Sequence, residues 1–218
     1  MGSRNRLTDP APFVGDTSAV INLNATGYAR EILRTLPNRF LVVEVVSSEL
    51  DRGRRNGRQD ADILGGLVSE KLVEIVKLDE IAEAHFERLV VGPAAETLDD
   101  GEAATIAYAA GAGMTAVIDE RKATRLCARL FPKLRISCTV DILSHADIRR
   151  SLGSSSLADA IFRALKNGRM RVLPRHVKWV VELIGPARAA ECPSLPRYAR
   201  QPQQDVSAGD ARSRNDAG

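Results

Sequence analysis

The stretch DTSAVINL, residues 16–23, decides the fold because it joins the first apolar segment, APFVG at 11–15, to a segment of helical spacing. It begins with an aspartate and two hydroxyl residues directly after a run that reads as a strand. A carboxylate at the end of a buried strand is costly unless a cation or hydrogen bonds compensate it. Asp16 is therefore either the N-cap of the helix that follows, or a residue that holds a metal ion or takes part in chemistry.

On both sides of this stretch, short apolar runs alternate with longer segments of helical period. That alternation predicts an α/β protein with a parallel sheet wrapped by helices. The predicted strands lie within 12–16, 40–46, 72–78, 114–119 and 134–139. The predicted helices lie at 18–24, 27–36, 61–70, 81–90, 101–113 and 121–131, with one more beginning near the end of the second strand and further helices closing the domain.

The same pattern divides the chain into three parts. We expect a flexible N-terminal segment over 1–11 and a folded domain over 12–186. From 187 to 218 Pro, Gln, Ser, Arg and Asp dominate and the periodicity disappears, so this tail is expected to be disordered.

Composition excludes several classes of protein. With 218 residues, 44% of them hydrophobic and 27% charged, the chain has the make-up of a globular protein with a full core. No apolar run is long enough to cross a bilayer, and the first ten residues lack the hydrophobic segment of a secretion signal. Three cysteines and three histidines, all widely spaced, predict neither a disulfide framework nor a zinc site. We therefore expect a cytoplasmic protein with reduced thiols and no membrane partner.

Four acidic residues are predicted to lie at one edge of the sheet. Asp16 ends the first strand and Asp119 ends the strand MTAVID, while Glu49 lies about a turn into the helix after the second strand. Glu102 begins a later helix. In an open parallel sheet, the carboxyl ends of the strands form the ligand-binding side. Four carboxylates in one crevice repel one another, and Mg²⁺ or Mn²⁺, which prefer oxygen ligands, would neutralise them. Two such ions would suit cleavage of a phosphodiester.

Each of the four also has an ordinary structural explanation. Asp16 or Asp119 would cap a helix, and Glu49 would be one of many solvated helix glutamates. Glu102, in a first helical turn, would be favoured by the helix dipole. Only their shared position favours a functional interpretation. Several neighbouring acids stay open as alternatives or additions to the set: Glu44, Asp99, Asp100, Glu120 and Asp141.

Five stretches carry a resemblance to a known family: DTSAVINL at 16–23, VVSSEL at 45–50, LDDGEAATIAYAAGAG at 98–113, AVIDERKATRLC at 116–127 and ISCTVDILSHA at 136–146. In this order and spacing they resemble PIN-domain proteins, which include many type II toxin–antitoxin ribonucleases and related stand-alone prokaryotic proteins. The resemblance implies a three-layer α/β/α sandwich with a central parallel sheet. It also implies Mg²⁺- or Mn²⁺-dependent cleavage of RNA.

The resemblance further implies roles for individual residues. Asp16 and Asp119 would contact the metal most directly, with Glu102 beside them. Glu49, which matches the family better than Glu44, would act through a water. Four polar residues match positions that line or support the site: Thr17, Ser18, Asn22 and Thr139. Among them, Asn22 is expected to support Asp16.

Basic residues close to the acidic set are candidates for RNA contacts. The stretch DRGRRNGR at 51–58 follows Glu49 directly, and two further basic residues follow Asp119. Arginine binds phosphate through its planar guanidinium, although a solvated loop explains the same pattern equally well. The candidates are Arg52, Arg54, Arg55, Arg121 and Lys122. No aromatic platform accompanies them, so base stacking is not indicated.

These observations favour a metal-dependent endoribonuclease that acts on RNA. As the toxin of a type II toxin–antitoxin pair it would have a cognate antitoxin as its partner, and a homodimer is left open. The main alternative is a non-catalytic nucleic-acid-binding or regulatory module of the same fold. An aspartyl-nucleophile phosphatase ranks last, because its chemistry wants a second aspartate two residues after the first and that position holds Ser18.

Overall fold

The structure, a computed structural model, describes residues 10–94 and 96–200. These residues form a five-stranded sheet in the order β3-β2-β1-β4-β5, in which every neighbouring pair is parallel. The strands are β1 (Phe13–Gly15), β2 (Phe40–Val43), β3 (Val73–Val76), β4 (Thr115–Val117) and β5 (Arg135–Ser137). All five fall within the segments predicted from the sequence.

Eleven α-helices and one 3₁₀ helix fill the described ranges. The helices before β4 are α1 (Thr17–Ala25), α2 (Ala29–Thr35), α3 (Glu44–Arg54), α4 (Asp60–Ser69), α5 (Glu80–Val90) and α6 (Asp100–Ala112). Those after it are α7 (Arg121–Leu130), α8 (Thr139–Leu143), α9 (Ala146–Lys166), α10 (Pro174–Ile184) and α11 (Pro186–Ala190), followed by the 3₁₀ helix Arg197–Ala199. Within α9, the backbone of Gly153 is not helical (φ 71°, ψ 165°), so this element consists of two helical pieces.

The sheet is apolar on both faces, as expected for parallel strands with helices on each side. In β2, Phe40 and Val42 pack into the core on one face, and Leu41 and Val43 pack into the core on the other. The first core is completed by α1 to α4 and α8 to α10, and the second by α5, α6 and α7. The predicted three-layer α/β/α architecture is therefore confirmed.

The order of the strands defines where a crevice opens. The chain proceeds outward from β1 to β2 and β3 on one side, then crosses to β4 and β5 on the other side. The helices that follow β1 and β4 therefore pack on opposite faces of the sheet, and such a point of reversal is where open α/β sheets bind ligands. Asp16 follows β1 immediately and Asp119 follows β4 by two residues.

The prediction of a disordered tail over 187–218 is wrong for its first part. Residues 187–200 pack against the rest of the domain, and Ala189, Cys192 and Leu195 are buried in the first core. These three side chains recur every third residue, which places them on one side of the short helical turns there. Residues 201–218, and residues 1–9 of the predicted N-terminal segment, lie outside the described ranges. Among the described helices, none combines the length and the apolar character needed to cross a membrane.

Candidate active site

Asp16 is both a helix cap and a member of the acidic edge. It is buried at the end of β1, and its Oδ1 accepts a hydrogen bond from the backbone N–H of Ala19 (2.6 Å). The Ser18 hydroxyl lies 2.9 Å and 3.0 Å from its two carboxylate oxygens. The two explanations offered by the sequence are thus compatible, since the bonds that start α1 also fix the orientation of this carboxylate.

Asp119 is held by three hydrogen bonds from two elements. Thr139, the first residue of α8, donates its backbone N–H to Oδ1 (2.8 Å) and its hydroxyl to Oδ2 (2.6 Å). The side-chain amide of Asn22, on α1, donates to Oδ2 (2.7 Å). The expectation that Asn22 supports Asp16 is therefore wrong. On a helix, its position six residues after Asp16 directs its amide toward β4, and the partner it meets there is Asp119.

Glu102 lies half-buried in the first turn of α6, close enough to Asp16 for its charge to act on that carboxyl group. Burial, together with the charges of Asp99 and Glu120, raises the pKa of Glu102 from 4.5 to about 7. Burial also raises the pKa of Asp16, and the charges of Asp119 and Glu102 add to that effect. Burial likewise raises the pKa of Asp119, although its bonds from Thr139 and Asn22 oppose the shift. Three carboxyl groups therefore resist ionisation together.

Burial causes this shared rise in pKa, and little nearby positive charge offsets it. Within the described ranges, no Lys, Arg or His nitrogen lies within 4.0 Å of a carboxylate oxygen of Asp16, Glu102 or Asp119. Buried carboxylates are normally paired or bound to a cation. The site thus has the electrostatic character of a cation-binding site.

Glu49 has a different environment from the other three. Its Oε1 accepts a hydrogen bond from the backbone N–H of Gly101 (2.9 Å), and its Oε2 accepts one from the Thr17 hydroxyl. Gly101 is required for this contact, because a Cβ there would lie 2.4 Å from Glu49 Oε2 and 2.6 Å from Thr17 Oγ1. Glu49 thereby joins α3 to the starts of α1 and α6, the helices that carry the other acids.

The acids left open by the sequence divide into separate groups. Glu44, the alternative to Glu49, is exposed and pairs with Lys77 (3.2 Å). Asp99 and Asp100 are exposed at the start of α6. Glu120 forms an ion pair with Arg171. None of these four has the buried, unpaired environment of Asp16 or Asp119.

Asp141 belongs to a cluster that the sequence analysis missed. Its carboxylate, the Cys138 thiol and the His176 ring place one ligand atom each within 4.8 Å of one another. Arg175 already supplies a cation there, since its guanidinium lies 2.8 Å from Asp141 Oδ2. Burial acts to raise the pKa of Asp141, but bonds from Cys138 and the charges of Arg175 and His176 outweigh it and lower the pKa. The cluster ties α8 to α10.

Cys138 and His176 are 38 residues apart in the sequence. Because of this wide spacing, the sequence did not indicate that they lie close together. The prediction of no zinc site stays a prediction, but the wide spacing of the cysteines and histidines did not keep Cys138 and His176 apart. The only available signal was Asp141 itself, three residues after Cys138, where the two form a capping box at the start of α8.

The basic residues predicted to contact RNA have unequal surroundings. Arg52 lies 3.9 Å from Glu49, and Arg54 is paired with Asp51 (3.3 Å) and Asp62 (2.8 Å). Arg55 is exposed at the end of α3. Lys122 donates to a backbone carbonyl, that of Ala94 (2.6 Å). Arg121 lines a cleft of about 790 Å³ that also contains Asp119.

Arg169 and Arg171 line the same cleft and were not predicted as site residues. They belong to the loop between α9 and α10, in the sequence GRMRV at 168–172. Basic and apolar residues alternate in this short stretch, and that alternation is the signal that sequence reasoning passed over.

The donor set suits a hard divalent cation. Asp16, Glu102 and Asp119 offer only oxygen atoms, and their raised pKa values share one origin in burial. Their oxygens do not all lie within 4.8 Å of one another, unlike the group around Asp141. Mg²⁺ keeps several waters when bound by proteins, so it does not require every carboxylate as a direct ligand. The residues present therefore fit Mg²⁺ or Mn²⁺.

Comparison with known proteins adds one finding. A family model described as "DUF3368: PIN domain" matches residues 12–186, which is most of the chain and coincides with the predicted folded domain. A comparison with curated proteins gave no match.

Proposed function

The chain belongs to the PIN-domain family, whose members are generally nucleases, and on that basis we propose that it is a metal-dependent endoribonuclease. The observation that carries the proposal is the group of Asp16, Glu102 and Asp119 at the strand-order reversal, with raised pKa values and no paired cation among the described residues. Ion-paired surface acids elsewhere in the chain, such as Glu44, do not share this environment.

In this proposal, Asp16, Asp119 and Glu102 hold Mg²⁺ or Mn²⁺. The bound ion would polarise a phosphoryl oxygen and lower the pKa of a bound water. The protein's own contribution is to fix the carboxylates before substrate arrives. Ser18 and the N-terminus of α1 orient Asp16, while Thr139 and Asn22 orient Asp119 and leave it no freedom to rotate.

Glu49 contributes by position in the proposed mechanism. Its two carboxylate oxygens bind the Gly101 N–H and the Thr17 hydroxyl, so they hold α6, and with it Glu102, against the start of α1. The sequence-based role of Glu49, action through a water, stays a prediction. Its contacts favour a residue that sets the distance between Glu102 and Asp16.

The direct test is hydrolysis of a labelled RNA by the purified chain with Mn²⁺ or with EDTA. We expect fragments with Mn²⁺ and none with EDTA. Asp16→Asn and Asp119→Asn should lower the rate by about 100-fold or more, since each removes a charge that the reaction uses. Glu44→Gln is the matched control and should retain the rate, because Glu44 is an exposed acid at the end of the neighbouring strand β2 and pairs with Lys77.

The contrary result would be no cleavage of single-stranded or structured RNA by a chain that still binds Mn²⁺. That outcome would favour the non-catalytic nucleic-acid-binding module. If the wild-type chain bound Mn²⁺ and Asp16→Asn did not, while neither chain cleaved RNA, the acidic site would bind metal without catalysing hydrolysis.

A finer part of the proposal is biological. We further propose that the chain is the toxin of a type II toxin–antitoxin pair, with a cognate antitoxin that blocks the acidic crevice. Expression of the wild-type chain should then arrest growth, and expression of Asp16→Asn should not. Equal growth of the two strains would contradict the toxin assignment.

A further inference from the structure

A cleft with a basic lip leads away from the acidic site. It has a volume of about 790 Å³ and is lined by Asp119, by Arg121, Arg169 and Arg171, and by residues 172–173 and 193–196. We call it the arginine cleft. It lies on the β4 side of the site, opposite the arginine-rich end of α3 that the sequence pointed to.

Packing fixes the two new arginines in place. Met170 and Val172 are buried in the first core, while the alternating Arg169 and Arg171 are exposed and line the cleft. The buried neighbours anchor the loop, so both guanidinium groups are presented on one side of it. Two cations on a short segment therefore face the same cleft.

The loop is also connected to the acidic site through one side chain. Gly168 approaches α1 so closely that a Cβ there would lie 2.7 Å from Asn22 Oδ1 and 2.8 Å from the Ala164 carbonyl oxygen. The amide nitrogen of the same Asn22 donates to Asp119 (2.7 Å). The position of the loop and the orientation of Asp119 are therefore set by a common residue.

The charges in the cleft suit an anion that extends from the acidic site. Arg171 forms an ion pair with Glu120. Across the described ranges, neither Arg121 nor Arg169 has a carboxylate oxygen within 4.0 Å. Arg54, by contrast, is already paired with two carboxylates on the other side of the site. Arg55, at the end of α3, also lies unpaired among the described residues, but the three arginines of the arginine cleft are the ones that share a cleft with Asp119.

We propose that the arginine cleft holds the single RNA strand beside the scissile phosphate, with Arg169 and Arg171 binding backbone phosphates. This inference rests on the proposed nuclease function and names the side on which its substrate lies. Guanidinium groups bind phosphate oxygens in pairs of hydrogen bonds. The volume of the cleft is in the range of small-ligand pockets, which leaves room for a short piece of one strand.

The test measures binding rather than turnover. The probe is a fluorescent single-stranded RNA of mixed sequence, and its anisotropy is titrated with the Asp16→Asn chain at several salt concentrations. The test variants are Arg169→Asn and Arg171→Gln in that background. Asparagine suits the left-handed backbone of residue 169 (φ 55°). Arg39→Gln is the control, because Arg39 is an exposed arginine before β2, at the opposite edge of the sheet, paired with Glu74.

Each test variant should weaken binding about tenfold, the usual loss of a hydrogen bond to a charged group. In a plot of log affinity against log salt concentration, the slope for the double variant should be shallower by about 1.4. This is the change expected when two phosphate contacts to a single strand are lost. Arg39→Gln should bind as its parent does. Glu120→Gln should tighten binding because it releases Arg171 from its ion pair. Thermal melting of every variant confirms that it is folded.

Unchanged binding by both test variants, or an equal loss in Arg39→Gln, would overturn the inference. Equal affinity for an RNA duplex would overturn the assignment to a single strand. The proposed nuclease function fails separately. A wild-type chain that does not cleave RNA, while the arginine variants still lose affinity, would refute catalysis and leave the cleft assignment standing.

Discussion

Replacing Glu102 with glutamine tests the electrostatic description of the site without any substrate. The pKa of Glu102 is raised from 4.5 to about 7 in the folded chain, chiefly by burial. Its ionised form is therefore disfavoured in the folded state relative to the unfolded state. The stabilisation from this group is complete below pH 4.5 and is lost as the pH rises through 7.

The difference between these two pKa values corresponds to about 3.4 kcal/mol. Because Glu102 is only half-buried and water screens part of its charge, we expect a measured effect of about 1–2 kcal/mol. Glutamine stays neutral at every pH. In EDTA, Glu102→Gln should therefore gain about 1–2 kcal/mol over the wild type when the pH is raised from below 4.5 to about 8.

Urea denaturation at both pH values measures this gain as a change in the free energy of unfolding. Glu87→Gln, an exposed glutamate on α5, is the control and should show no such gain. Adding Mn²⁺ at the higher pH should stabilise the wild type more than Glu102→Gln, because only the wild type keeps the full set of carboxylates. If the two chains lose stability in parallel as the pH rises, the account of Glu102 is wrong.

Other substitutions probe the contacts around the site, and urea denaturation is again the assay. Glu49→Ala should cost about 1–3 kcal/mol by leaving the Gly101 N–H and the Thr17 hydroxyl without their acceptor; Mn²⁺ affinity that falls as far as in a direct ligand variant would contradict a positioning role. Thr139→Val should cost about 1.5–3 kcal/mol, since it removes a 2.6 Å bond to a carboxylate, and no loss would show that the bond is not formed in solution. Gly168→Ala should cost about 1–3 kcal/mol because its Cβ would lie 2.8 Å from the Ala164 carbonyl oxygen. Gly65→Ala, where a Cβ meets nothing within 4 Å inside α4, should instead stabilise by about 0.5–1 kcal/mol.

The sequence was sufficient for the architecture because hydrophobic runs report directly on parallel strands. A stretch such as FLVV at 40–43 is buried on both faces of the sheet, so every residue in it is apolar and the strand is visible without any partner. Positions at strand ends follow from the same logic. The placement of Asp16 and Asp119 on one edge could therefore be predicted from local patterns alone.

The parts that could not be predicted depend on contacts between distant segments. Asn22 donates a hydrogen bond to Asp119, which is 97 residues away in the sequence. Helical periodicity predicts the side of α1 on which Asn22 lies, but it does not predict which distant residue contacts that side. The grouping of Cys138 with His176 has the same character. The ordered segment 187–200 was missed for another reason: it was grouped with the polar residues that follow it. Three of its own side chains, at every third position, are buried in the first core.

The assembly of the acidic site from both helical layers has a consequence for how the chain is made. Asp16, Asn22 and Thr139 lie at or in helices that pack into the first core. Glu102 lies in α6, which packs into the second core. A molecule in which only one core has formed would hold some of these side chains in place, but not the whole acidic set. The proposed activity would thereby be coupled to completion of folding, because nascent or partly unfolded molecules would lack the complete acidic set.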